Sequence, residues 1–340
     1  MEKAIKILGS IIILPFGLLI YWMSGLIIPK TYSSLVFTFC ITSGKINDWL
    51  SKLISIGCGK IQLKNKKGIL GDLSNNDSLS EIVNQIREKG YVVFPGILPE
   101  KTLNNLINIT LTTEAMVRKS DLQDGEFYTG KYVYYGDKPN AIRYDYLVDD
   151  LLKSEDVQDL ISDESLLAVA QSYLRATPLV DVLSMWWHTN FSDKPDSTAA
   201  QYFHFDMDRI KWLKVFIYLT DVGPQNGPHY YIEGTHKANS IPSKLLDKGY
   251  VRLMDYEVSE IYNNNRIIEF VGKKGTVIIE DTRGLHKGGH VVGDPRLILQ
   301  LQFSNSLFGA DQEKYKCNII SNNLLLMKKK FPVIFKNFSD

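Results

Sequence analysis

Residues 275–303, GTVIIEDTRGLHKGGHVVGDPRLILQLQF, read as an apolar run, a Gly-rich crossover carrying His286, and a second apolar run that opens with Arg296. Short runs rich in Val, Ile and Leu, bounded by Gly and Pro, predict strands. The same texture begins at Leu179 with LVDVLSMWW and continues through AQYFHFD, LKVFIYLTDV, GPHYYIEG and RIIEFVG, so that GTVIIED and RLILQLQF complete seven runs. Asn226-Gly227-Pro228 and Lys273-Lys274-Gly275 mark tight turns between them. Seven short runs with turn signals predict a mainly β fold with flanking helices, a double-sheet jelly roll or sandwich. The chain contains no internal repeat.

The candidate chemistry sits on these runs. If AQYFHFD is a strand, residues two apart share a face, so His204 and Asp206 project together while Phe205 packs behind them. Asp208 shares that face if the strand continues; Asp206 is preferred because it is nearer His204, and Asp208-Arg209 reads as the polar start of a turn. The third ligand is expected from His286 on the distant crossover, with His290, two glycines later, as its rival. Two imidazoles and one carboxylate on one side of a metal leave its other positions open, the facial arrangement of non-heme Fe(II) oxygenases. Arg296 is placed to grip a distant carboxylate in a bidentate fork, which a lysine does less specifically. The competing reading pairs it with Asp281 or Asp294. His236 reads as a turn residue making local hydrogen bonds, His229 and His188 as structural or pocket-lining, and Trp186 and Trp187 as core and cavity wall.

With 340 residues, 44% apolar and 11% aromatic, the chain can bury a catalytic domain of roughly 200–250 residues plus an appendage. Lys+Arg at 39 against Asp+Glu at 38, a formal net charge of +1, gives no general electrostatic reason to expect nucleic acid. Cys40, Cys58 and Cys317 form neither a CxxC pair nor an even set, so no disulfide framework or thiolate metal site is expected and a reducing compartment fits.

Leu8–Ile28, LGSIIILPFGLLIYWMSGLII, carries no charge and is long enough to cross a bilayer as a helix, so residues 1–30 read as a membrane anchor. A cleaved signal peptide and a buried core helix compete with this reading, and no Ala-x-Ala site follows. Residues 31–77 read as an amphipathic and linker segment. Within it Ile46, Trp49, Leu50, Leu53 and Ile54 form a helical apolar face, suited either to the membrane surface or to packing on the chain's own domain. Lys52, Lys60, Lys64, Lys66 and Lys67 outnumber Lys3 and Lys6, which favours a cytoplasmic domain. Leu70–Asp77 is a polar linker; the main domain is set at 78–308 and a tail at 309–340, where Lys328-Lys329-Lys330 reads as a solvated helix end. Ser78-Leu79-Ser80-Glu81 has the capping-box pattern of a helix that Gly90 stops; Tyr91–Phe94 follows as a strand, and a second helix runs from Pro99 to about Arg118.

Taken together, these segments resemble the phytanoyl-CoA dioxygenase family of Fe(II)/2-oxoglutarate-dependent oxygenases over about residues 80–308. Gly90–Leu98 is similar to the family's opening strand, His204-Phe205-Asp206 to its HxD, Asn226-Gly227-Pro228 with Gly234-Thr235-His236 to its central turn and GSH-type element, and Asp281–His286 to the stretch bearing its distal histidine. The resemblance implies a double-stranded β-helix, cupin-like, with helices outside. It implies an iron held by His204, Asp206 and His286, and 2-oxoglutarate chelated to the iron and gripped at its far carboxylate by Arg296. It further implies O2 as cosubstrate, release of succinate and CO2, and attack on an unactivated C–H bond. Halogenating relatives replace the carboxylate with a small residue, so Asp206 favours hydroxylation. The anchor lies outside the family pattern and suggests a small or lipid-like substrate near a membrane. The alternatives are a metal-binding jelly roll without turnover, serving as sensor or assembly component, and a protein side-chain hydroxylase of the same fold. A narrow apolar channel opening toward Lys45–Ile56 would favour a lipid tail, and a wide polar mouth a polar metabolite or peptide.

Overall fold

Alternation inside the apolar runs sorts their side chains to two faces, and this sorting builds the molecule. The structure, a computed structural model, describes residues 2–119, 130–134, 136, 139–310 and 314–339. Its main sheet uses β1 (Tyr91–Phe94), β2 (Ala115–Arg118), β3 (Lys131–Tyr132), β4 (Arg143–Tyr146), β5 (Leu179–His188) and β6 (Trp212–Tyr218). A smaller sheet brings β7 (His229–Ile232), β8 (Ile267–Phe270) and β10 (His286–Gly288), while β9 (Val277–Glu280) and β11 (Arg296–Ser304) return to the main one. The main sheet is antiparallel, in the order β1-β9-β6-β11-β5-β4-β2-β3, and the smaller one runs β8-β7-β10. A large antiparallel sheet with flanking helices, faced by a smaller sheet, is a jelly-roll-like architecture.

On one face of the main sheet Leu183 and Met185 (β5), Leu213, Val215 and Ile217 (β6), Val277 and Ile279 (β9) and Leu297, Leu299 and Leu301 (β11) are buried in the principal core. That core also takes Leu79, Val83 and Ile86 of α4 (Asn76–Lys89) and Leu103 and Leu106 of α5 (Glu100–Thr112). The residues between them, Ser184, Trp186 and His188, Lys214 and Phe216, Glu280, and Arg296, Ile298 and Gln300, therefore face the smaller sheet. The site lies between the sheets for this reason.

Three helices precede this body: α1 (Glu2–Ser24), α2 (Pro29–Thr42) and α3 (Lys45–Gly57). Leu14, Leu35, Phe39 and Leu50 from them join Phe203, Phe205, Met207 and Ile210 in a second buried cluster. α1 and α2 fold back as a hairpin in which Gly17 lies against Thr31; a Cβ at Gly17 would fall 1.9 Å from Thr31 Oγ1, so only glycine fits there. The opposite face of α1 is open: Ile12, Phe16, Trp22 and Met23 are each more than half exposed.

Several expected boundaries move. The uncharged run is not one helix to Ile28, because Gly25 turns the chain at φ +73° and α2 starts at Pro29. α4 starts earlier than the Ser78 box, since Asn75 accepts the Asp77 backbone N–H and caps the helix itself, while Gly90 stops it at φ +98° as expected. α5 ends at Thr112, and Ala115–Arg118 is strand rather than helix. AQYFHFD is extended but not a regular strand: isolated bridges pair Phe203 with Leu253 and His204 with His286. The other six runs contain strands. Lys328–Lys330 end a C-terminal helix, Asn322–Lys330, as the charge run suggested.

Candidate active site

His204 and His286 are locked to each other through the backbone before their side chains do anything. His204 N–H donates to the His286 carbonyl at 2.9 Å and His286 N–H to the His204 carbonyl at 2.8 Å. Both rings are then fixed by a further bond: His204 Nδ1 lies 2.9 Å from the Tyr202 carbonyl and His286 Nδ1 2.9 Å from the Gly284 carbonyl. A carbonyl only accepts, so Nδ1 carries the proton in each ring and Nε2 is the atom left for a metal. Both Nε2 atoms face Asp206, at 3.6 Å for His204 and 3.4 Å for His286. Among the described residues these three form the one His/Cys/Asp/Glu group with metal-ligand geometry, with donor atoms within 4.8 Å of one another and every member buried. Phe205 points away and stacks on Phe39 of α2, ring centroids 5.0 Å apart.

The electrostatics follow from burial and from one cation. Burial pushes the Asp206 carboxyl up, but the Lys214 ammonium 2.6 Å away, with His286, outweighs it and holds the group well below the usual carboxylate range. Burial works against Lys214 too, and Asp206 and Asp208 overcome it and raise its pKa. Burial and His286 hold His204 well below the usual histidine range, whereas in His286 the pull of Asp206 exceeds burial and raises it. Asp208 bonds Lys214 at 3.1 Å and stays outside the three-residue group. His290, half-buried on the far side of the Gly-rich turn, also stays outside it.

The group opens into a cavity of about 240 Å3 whose wall includes Trp186, His188, Lys214, His229, Arg252 and Arg296. Arg296 is fully buried and pairs with neither Asp281 nor Asp294: its Nη1 donates to the Gly227 carbonyl and its Nη2 to His188 Nδ1 at 2.9 Å. Asp281 is occupied instead by Arg283 and by the Tyr173 hydroxyl. Arg296 Nε, His188 Nε2 and Trp186 Nε1, all from wall residues, are buried without a hydrogen-bond partner among the described residues. Unmet donors around one cavity suit a ligand rich in acceptors, and a dicarboxylate is such a ligand.

Sequence reasoning missed Lys214, Arg143 and Arg252 in this wall, and Glu280 against the wall residue His229. Lys214 carries its signal openly, as a lysine in phase with Phe216 inside an otherwise buried strand. Glu280 closes VIIE in the same way; it is fully buried, lies 2.8 Å from His229 Nε2, and burial raises its pKa to about 8. His188 and His229 line the cavity, Trp186 forms its wall with Arg143 stacked 4.3 Å over the ring, and Trp187 turns toward the core against Tyr134. His236 bonds the Arg87 carbonyl across the fold rather than its own turn.

Two more clefts adjoin the N-terminal helices. The one beside α3 is polar and cationic, not a narrow apolar channel. An apolar one of about 460 Å3 lies between α2 and residues 246–250, where Tyr250 also meets the Phe205 ring at 5.5 Å.

Residues 86–296 match the family model described as Phytanoyl-CoA dioxygenase (PhyH). Among solved structures, the chain is similar to the epimerase SnoN in complex with Fe3+, alpha ketoglutarate and nogalamycin RO, at 17% identity over 67% of this chain and 84% of that one, with a TM-score of 0.47. HygX from Streptomyces hygroscopicus, with nickel and 2-oxoglutarate bound, matches at 16% identity over 72% and 92% of the two chains, TM-score 0.45. EctD from S. alaskensis, with 2-oxoglutarate and 5-hydroxyectoine, matches at 18% identity over 66% and 75%, TM-score 0.45. No curated protein matches the chain.

Proposed function

The chain belongs to the phytanoyl-CoA dioxygenase family, and from that premise we propose that it is a membrane-tethered iron- and 2-oxoglutarate-dependent oxygenase that hydroxylates a small or lipid-like substrate. The observation that carries the reading is the buried group of His204, Asp206 and His286 sharing one cavity with an arginine that has no carboxylate partner. The residues fit the metal: two imidazole Nε2 atoms, with each Nδ1 held by a backbone carbonyl, and one ionised carboxylate are the donor set that suits Fe(II). They fit the cosubstrate as well, because Arg296 keeps an unpaired Nε and is held in place from behind by Gly227 and His188.

Iron bound there supplies the oxidising chemistry, with 2-oxoglutarate and O2 consumed and succinate and CO2 released. The chain's own contribution is positioning. The carbonyls of Tyr202 and Gly284 fix both rings, Lys214 holds one Asp206 oxygen, and Arg296 orients the cosubstrate. Burial of the whole set excludes water from the reacting centre. The open apolar face of α1 supports the tether, over Ile7–Ser24.

Anaerobic absorption of the purified chain with Fe(II), before and after 2-oxoglutarate, tests the site. The reading expects a charge-transfer band that is lost in Asp206→Ala and needs far more cosubstrate in Arg296→Ala. No band under any condition removes the oxygenase reading in favour of a non-catalytic jelly roll. Lipid extracts that draw no 2-oxoglutarate consumption above the uncoupled background would remove the lipid-like substrate alone.

A further inference from the structure

The cleft beside α3 has a volume of about 360 Å3 and shares no residue with the cavity of the metal group. Six of its lining residues are cationic, Lys52, Arg87, Arg175, Lys211, Lys237 and Arg283, and Asp48 is the one acidic lining residue among those described. Asp48 is already taken by Arg283 at 2.8 Å, and Arg283 by Asp281 at 2.8 Å. Among the described residues none of the other five cations lies within salt-bridge distance of a carboxylate. Arg87 donates to the Ser172 carbonyl, and the Lys211 ammonium lies over the face of Tyr173, 4.5 Å away. Concentrating like charges in one concavity is unfavourable unless an anion neutralises them. Burial lowers the Lys211 pKa to about 8; Arg283 and Arg87 add to the shift, and Asp281 and Asp48 oppose it. Guanidinium forks and ammonium groups converging on a pocket are a phosphate-binding set.

The neighbouring surface identifies where the phosphate comes from. α3 buries Asn47, Leu50 and Ser51 against the body, and its outer face exposes Trp49, Leu53 and Ile56 at one-turn spacing. An amphipathic helix with an outward aromatic and aliphatic face beside basic residues suits the interface of a bilayer carrying anionic lipid. We propose that the cleft binds the phosphate of an anionic lipid headgroup through Lys52, Arg87, Arg175, Lys211 and Lys237, with α3 lying at the bilayer surface. The lipid source rests on the membrane tether; the anion site does not, and neither depends on iron or 2-oxoglutarate.

The test is calorimetric titration of the full chain in nonionic detergent with three soluble probes: short-chain phosphatidic acid, short-chain phosphatidylcholine and inorganic phosphate. Phosphatidic acid is expected to bind at least tenfold more tightly than either other probe. Lys211→Met, and separately the exposed pair Lys52→Gln with Lys237→Gln, are expected to weaken it at least tenfold while the Fe(II)/2-oxoglutarate absorption band is kept. Equal binding of phosphatidic acid and inorganic phosphate overturns the lipid source. Binding that both variants leave unchanged, or equal binding of phosphatidylcholine, overturns the site. Flotation with vesicles of phosphatidylcholine alone reads the tether separately, since a spanning α1 inserts there whatever the cleft does.

Discussion

Lys214 Nζ lies 2.6 Å from Asp206 Oδ2, so one oxygen of the proposed ligand carboxylate is already held by a buried cation. Two consequences oppose each other when a divalent ion enters. The ammonium fixes the carboxylate, and it also repels the metal at short range in a site of low dielectric. With Asp206 and Asp208 facing each other unscreened, Lys214→Met should destabilise the metal-free chain by about 3 kcal/mol. The same change should tighten divalent metal binding. Thermal unfolding with and without Co(II) measures both: the metal-induced rise in Tm is expected to be larger in the variant than in the parent. An unchanged or smaller rise would mean that carboxylate orientation outweighs repulsion.

Arg296 holds a buried guanidinium with its Nε unpartnered and its other nitrogens anchored to Gly227 and His188. A charged hydrogen bond of this kind contributes about 1.5–3 kcal/mol, so Arg296→Ala should weaken 2-oxoglutarate binding by roughly 10- to 100-fold. Arg296→Lys keeps the charge and loses the fork, and should recover only part of that loss. Titrating the charge-transfer band against 2-oxoglutarate gives both numbers, with Fe(II) affinity expected to stay the same.

Phe39 belongs to a helix outside the residues that match the family, yet its ring stacks on the residue between two proposed ligands. Phe39→Ala removes an aromatic pair and leaves a cavity behind His204 and Asp206. A loss of about 3 kcal/mol is expected, together with weaker metal binding. Ile41→Ala, on the partly exposed side of the same helix, is the control and should change neither. Equal metal affinity in the parent and Phe39→Ala would show that the N-terminal helices do not support the site.

How much of this was legible in the chain differs from element to element. β6 and β11 declare themselves, because alternation of buried faces is written locally as Leu213, Val215, Ile217 and Leu297, Leu299, Leu301. The HxD segment has the same composition but no ladder: its pairing partner, His286, lies far along the chain, and nothing local tells an extended segment from a strand. The contact of Phe39 with Phe205 is of the same long-range kind. At α4, Asn75 and Ser78 are both good caps, and the earlier one extends the helix. Lys214 and Glu280 were readable in principle, since a charged residue in a fully buried strand must be paired or functional.

Lys211 gives a pH dependence of definite sign. Its pKa is lowered to about 8 by burial, against about 10.4 in an unfolded chain. Between these values the unfolded state binds more protons than the folded one, so this group's contribution to stability rises with pH across that window. Below about pH 8 the penalty of the partly buried ammonium is present in full. Removing it in Lys211→Met should raise Tm at pH 7 by ~2 °C, corresponding to ~1 kcal/mol after allowance for the solvent reaching the cleft. The difference between variant and parent should shrink toward pH 10, where the parent's lysine has shed its proton on folding. Thermal unfolding of both chains at pH 7 and pH 10, in the same detergent and without phosphate, decides it: a variant less stable at pH 7 would mean that the aliphatic stem of Lys211 and its contact with Tyr173 outweigh the cost of the buried charge.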